Sequence, residues 1–129
     1  MRRVVYDAGA LVAADRNQRA FWADHRARLE AGLDPAVPAP VVAQVSRSNK
    51  QVQLRRLLSG CEVVAFTENE ARRAGAILAK SRTSDIVDAA VVVLAASLDA
   101  DVVTGDADDI AALAAAAGAR VRIFDVAKR

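Results

Sequence analysis

Residues 85–98, DIVDAAVVVLAASL, restrict how this chain can fold more than any other segment. From Ala89 about ten residues are apolar with only Ser97 interrupting. A helix of that composition has no polar face to give to water, so other elements must enclose it. It is far short of the roughly 20 residues that span a bilayer, so no transmembrane segment is expected. Residues 101–104, DVVT, follow as a β-strand that stops at Gly105 and Asp106. A buried helix feeding a short apolar strand belongs to a parallel sheet covered on both faces.

The rest of the chain repeats this alternation. Residues 4–6 (VVY) are β-prone and end at Asp7. Residues 10–14 and 17–31 read as helical, closed by Gly32 in the C-cap position. Pro35, Pro38 and Pro40 make residues 34–40 a connection with room for a very short strand at its centre. Helices are expected over 41–47 and 51–58, then a strand over 62–66. Thr67 with Glu70 three residues later forms a capping box that opens a helix to about Ser81. A helix over 107–117 closes at Gly118, and residues 121–126 form the last strand. The pattern predicts a three-layer α/β/α sandwich with a short central parallel sheet, built as one domain over residues 1–129. Abundant alanine allows close helix–sheet packing and compensates for having only five aromatic residues.

Fifteen of the eighteen cations are Arg, whose planar fork suits phosphate better than an ammonium does. The net charge of +2 is only mildly basic and by itself describes a solvated, mixed-charge surface. One cysteine cannot form an internal bridge, which argues against a secreted, disulfide-built scaffold. Asp7 falls where a signal peptide would keep its apolar stretch. A cytoplasmic location, with no membrane association, is the expectation.

In open parallel sheets the functional crevice lies beyond the carboxyl ends of the strands. Asp7 ends the first strand, and Asp106 lies two residues past the strand 101–104. Asp85 and Asp88 share one face at the start of the buried helix, and Asp109 stands three residues after Asp106. Asp85 and Asp106 each have a plainer structural reading as helix N-caps, worth about 1 kcal/mol. Asp88 and Asp7 are harder to explain in that way, because each adjoins an apolar stretch and a lone buried carboxylate is costly. Two carboxylates about 4 Å apart repel by roughly 4 kcal/mol at an effective dielectric near 20. Several at one sheet edge must be protonated or neutralised, and Mg²⁺ or Mn²⁺ prefers such oxygen ligands. Zinc is disfavoured: the only histidine, His25, reads as an exposed mid-helix residue, and Cys61 as a small hydrophobe beside the strand 62–66. An all-oxygen acidic site in an arginine-rich chain points to metal-assisted hydrolysis of a phosphodiester.

At these residues the sequence resembles the PIN-domain nucleases, in particular the VapC-type toxins of type II toxin–antitoxin pairs. The resemblance rests on VVYDAGALVAA, DAAVVVLAA and VVTGDADDI, an ordered set covering nearly the whole chain. It implies that Asp7, Asp88 and Asp106 are catalytic and bind Mg²⁺ or Mn²⁺, with Asp109 supporting them from the next turn. Asp85 has no standard counterpart, and its spacing from Asp88 makes it an additional acid. The family places a Glu on the helix after the second short strand. Here that segment reads PVVAQVSRS, and Gln44 stands in its place. A Gln keeps an acceptor oxygen and loses the charge.

The resemblance further implies an RNA substrate, a cognate antitoxin and a homodimer. Arg47, Lys50, Arg55 and Arg56 are candidates for holding the RNA backbone, against the plainer reading of a solvated helix face. Gln44 keeps open a second reading, a catalytically impaired PIN-like module that binds RNA or a protein. A phospho-acceptor receiver domain also places acids at strand ends, but it is disfavoured because the only Lys near the last strand is the near-terminal Lys128.

Overall fold

The computed structural model describes residues 1–128. The elements follow in the order β1 (Val4–Tyr6), α1 (Ala8–Asp15), α2 (Arg19–Glu30), β2 (Ala36–Pro38), α3 (Ala39–Val45), α4 (Val52–Ser59) and β3 (Glu62–Val64). Then come α5 (Glu68–Ser81), α6 (Ile86–Leu98), β4 (Asp101–Thr104), α7 (Ala107–Ala117), β5 (Ile123–Asp125) and a final 3₁₀ turn. All four strand pairings are parallel, in the order β3-β2-β1-β4-β5. The order reverses between β1 and β4, which opens the crevice where such sheets place their chemistry. The expected α/β architecture is therefore present: α6 packs on β1, β2 and β4, with α5 and α7 beside it, while α1 lies against β1, β4 and α4.

Local chemistry accounts for the boundaries. Thr67 accepts from the Glu70 amide and its hydroxyl meets the Glu70 carboxylate, so the capping box starts α5. Gly118 takes φ +66 at the end of α7, a conformation that costs glycine little. Residues 89–95 of α6 are all buried, as its apolar circumference requires. The very short strand within the proline-rich connection is β2, whose Pro38 also leads into α3. Several expected boundaries shift: α1 begins at Ala8 because Asp7 caps it, α2 covers Arg19–Glu30 within the expected 17–31, α3 runs over Ala39–Val45 in place of 41–47 and so leaves Arg47 outside it, β3 stops at Val64, and β5 is confined to Ile123–Asp125. No helix among the described residues is long and apolar enough to cross a membrane.

His25 corrects the reading of an exposed residue. It is buried on α2 at 3% exposure, where its Nδ1 lies 2.8 Å from the Tyr6 hydroxyl. Arg28 donates to that hydroxyl at 3.1 Å, so the one tyrosine oxygen links the imidazole to the guanidinium. Burial, then the Arg28 and Arg56 charges, push the imidazole down to about 4. Phe21 packs 5.2 Å from the Tyr6 ring, so α2 is fastened to β1 by an aromatic contact and a polar relay together. Cys61 packs against the main core as a half-buried side chain, and burial raises its thiol to about 12.

Candidate functional site

The site begins where β1 turns into α1. Asp7 is 3% exposed, and its Oδ1 accepts from the Ala10 amide at 3.1 Å, capping α1. Its Oδ2 accepts from the Thr104 hydroxyl at the end of β4. The Thr104 oxygen in turn accepts from the Asp106 amide at 2.8 Å. One hydroxyl thus ties the two strand ends together and sets the positions of two acids. Burial raises the Asp7 carboxyl above its ordinary range, opposed by the bonds from Thr104 and the backbone amides.

Glycine makes this closeness possible. A Cβ on Gly9 would lie 2.4 Å from the Gly105 nitrogen and 2.5 Å from its Cα. The β1–α1 and β4–α7 turns therefore touch backbone to backbone, an approach that no larger residue at position 9 permits.

From the other side, α6 delivers Asp88. Asp85 accepts from the Asp88 amide at 3.0 Å, so its capping reading holds and its cap fixes the helix start. Asp106 behaves differently: although it precedes α7, its side chain makes no cap bond, and the carboxylate is left for other work. Asp88, Asp106 and Asp109 each bring an oxygen within 4.8 Å of the others. Asp88 is pushed up to about 7, first by burial and then by the charges of Asp85, Asp7, Asp106 and Asp109. Asp109 is raised chiefly through its hydrogen bond with Asp106.

The expected acids therefore fall into two tiers. Asp88, Asp106 and Asp109 face one another, whereas Asp7 stands behind them with both oxygens engaged and acts on Asp88 through its charge. The tighter group includes Asp109, expected only as a support. Two oxygens on opposite sides of one Mg²⁺ are about 4.2 Å apart, so small side-chain rotations would bring these three into range. Asp106 and Asp109 are exposed and have that freedom. The donor set, all carboxylate, suits a hard divalent cation.

Gln44 is exposed on α3, which packs against both α1 and α6. Two of the candidate RNA-binding cations are occupied with the backbone. The Arg47 guanidinium donates to the Ala43 and Ser46 carbonyls, and that of Arg55 to the Asn49 carbonyl. Both close the α3–α4 connection, the plainer reading of those residues. Lys50 is exposed in the same connection, and Arg56 lies over the Trp22 ring with its Cζ 4.6 Å from the centroid. Thr104, Gly9 and Gly105 shape the site without having been singled out from the sequence. The only signal for Thr104 and Gly105 was the Thr-Gly-Asp turn, and for Gly9 the Asp-Ala-Gly turn that follows β1.

Comparison with known proteins agrees with this fold. The PIN domain family model matches residues 4–116. Similar solved structures include PAE2754 from Pyrobaculum aerophilum, with 18% identity, a TM-score of 0.63, and coverage of 98% of this chain and 85% of that one. FitAB bound to an IR36 DNA fragment has 17% identity and a TM-score of 0.67, covering 95% of this chain and 94% of that one. VapBC2 from Rickettsia felis, bound to a DNA fragment from its promoter, has 16% identity and a TM-score of 0.67, covering 95% and 98%. At such identities the likeness is one of fold. No curated protein sequence matches. With a family model that spans most of its length, the chain belongs to the PIN domain family.

Proposed function

We propose that the protein is a Mg²⁺- or Mn²⁺-dependent endoribonuclease, the toxin of a type II toxin–antitoxin pair, acting in the cytoplasm as a homodimer under the control of its antitoxin. The observation that carries this reading is the convergence of Asp88, Asp106 and Asp109 in front of Asp7, at the carboxyl ends of the paired strands β1 and β4. PIN domains are generally nucleases, and the structural neighbours include the VapBC and FitAB complexes.

Asp88, Asp106 and Asp109 would hold the cation, with Asp7 completing the negative field behind them. When bound, the cation supplies charge neutralisation at the scissile phosphate and acidification of water. The chain supplies the rest. Thr104 holds Asp7 and the Asp106 backbone in register. Asp85 fixes the first turn of α6 and so the placement of Asp88. Asp106 and Asp109, being exposed, mark the side from which a phosphodiester arrives.

The test is cleavage of labelled RNA with Mg²⁺ or Mn²⁺. Cleavage should disappear in EDTA and in Asp88→Asn and Asp106→Asn. Undiminished cutting by both variants overturns the site. Gln44 favours a second reading, a PIN-like module with its catalysis impaired. Cation binding without RNA cleavage by the wild type would select it.

A further inference from the structure

A second surface of the chain has the chemistry of a nucleic-acid contact. Two adjoining hollows, of about 170 and 300 Å³, run between α2 and α4 and share Trp22, Arg26 and Arg56. Arg19 and Asn17 extend one hollow, and His25 lies in the wall of the other. Among the described residues, no carboxylate lines either hollow. Trp22 is held rigidly: its Nε1 donates to the Ala14 carbonyl at 3.2 Å, and its ring meets His25 edge-on at 5.6 Å. The exposed Arg56 guanidinium lies 4.6 Å over the indole and extends the aromatic platform with a second, charged one. With Nδ1 engaged by Tyr6, the His25 Nε2 lies on the side facing Gly60, which shares that hollow.

We propose that this groove is an accessory binding site for a single-stranded RNA segment flanking the scissile bond, with phosphates on Arg19 and Arg26 and a base stacked on the Arg56–Trp22 pair. The inference rests on the ribonuclease reading for its choice of RNA. Three guanidiniums without a carboxylate define a site for a polyanion. The stacking platform favours nucleic acid over an acidic peptide, because an unpaired base has a face to lay on it and a carboxylate side chain does not. The groove starts at Asn17, just past the far end of α1, whose first turn is capped by Asp7. Eight residues of helix separate those ends by about 12 Å.

Trp22 is the only tryptophan of the chain, and its fluorescence reports on the groove alone. The experiment is titration of the full chain in EDTA, without cleavage, with a twelve-nucleotide oligouridylate. Trp22 fluorescence should be quenched, with affinity falling steeply as salt rises. Arg19→Gln and Arg26→Gln should each weaken binding about tenfold and lower the salt slope by about one. Arg56→Lys, which keeps the charge and loses the plane, should reduce the quenching. Thermal melts of these surface variants check that each is folded. No quenching by oligouridylate, or equal binding by polyglutamate of the same length, overturns the proposal. Binding in EDTA by a wild type that cleaves no RNA with metal supports the groove and refutes only the ribonuclease reading.

Discussion

Asn at position 88 should make the metal-free protein more stable above neutral pH, although Asp88 stands at the start of the most buried helix. Asn has nearly the shape of a protonated carboxyl and leaves the bond from the Asp88 amide to Asp85 in place. The difference between the two proteins is therefore one of charge. Asp88 rises from 3.8 to about 7 on folding, about three units at roughly 1.4 kcal/mol each. Its side chain is only half-buried, and solvent screening reduces the penalty to about 2 kcal/mol. A carboxyl raised in the folded state contributes stability that is complete below the unfolded value and is lost as pH climbs through the folded one. Wild type should lose this increment between about pH 4 and pH 7, while Asp88→Asn keeps it. Thermal melts in EDTA should then place the variant about 6–10 °C above wild type at pH 8 and close to it at pH 4. Protonation of His25 affects both proteins alike and cancels in the comparison. Saturating Mg²⁺ or Mn²⁺ should reverse the order at pH 8, since a ligand stabilises the protein that binds it better. A variant equally or less stable than wild type at pH 8 in EDTA would refute the electrostatic account of this site.

Gln44→Glu should tighten Mn²⁺ binding about tenfold in calorimetric titration, about 1.4 kcal/mol, by adding a carboxylate to the set. Unchanged affinity would remove Gln44 from the site. Thr104→Val deletes the hydroxyl shared by Asp7 and Asp106 and should cost about 1–3 kcal/mol in denaturant unfolding, with Thr104→Ser recovering most of it. Gly9→Ala drives a Cβ into the Gly105 backbone and should destabilise by about 2–4 kcal/mol, whereas Gly105→Ala, with its nearest contact at 3.1 Å, should cost much less. A negligible loss for Gly9→Ala would mean that the turns are not in contact. His25, the only histidine, should titrate by proton NMR at about 4, and a midpoint near 6.5 would exclude the buried Tyr6–His25–Arg28 relay.

The parts of the fold legible in the sequence were those where one-dimensional pattern and burial coincide. Residues 89–95 could only be an enclosed helix, and β4 followed from its Val pair and the Gly105 stop. The α2 stripe was harder, because Phe21, His25 and Arg28 follow helical spacing on the buried face while two of them are polar. Residue type pointed outward and spacing pointed inward; the Tyr6 hydroxyl, supplied by another element, decides for spacing. Asp7, Asp85, Asp88, Asp106 and Asp109 were identifiable because each sits at an element end. Their division was not, since it depends on which oxygens are already engaged: Asp7 by Ala10 and Thr104, Asp106 by no cap bond. Arg47 and Arg55 show the same limit from the other side, as sequence gives their charge and not the carbonyls that claim it.

These placements explain how the fold tolerates an arrangement that repels itself. Every acid that raises Asp88 sits at or just beyond the end of an element, where a rearrangement could relieve the repulsion. What prevents it lies one layer behind. Val5, Tyr6, Val102 and Val103 are buried in the paired strands β1 and β4, and the Thr104 hydroxyl bonds Asp7 to join the two strand ends. The contact between Gly9 and Gly105 then leaves the turns no space to slide past each other. Separating Asp88 from Asp106 would mean moving α6, whose buried face packs on three strands, at a cost in apolar burial above the few kcal/mol that the acids would recover. The core therefore holds the charges in place, and protonation of Asp88 or arrival of a cation is the less costly way to relieve them.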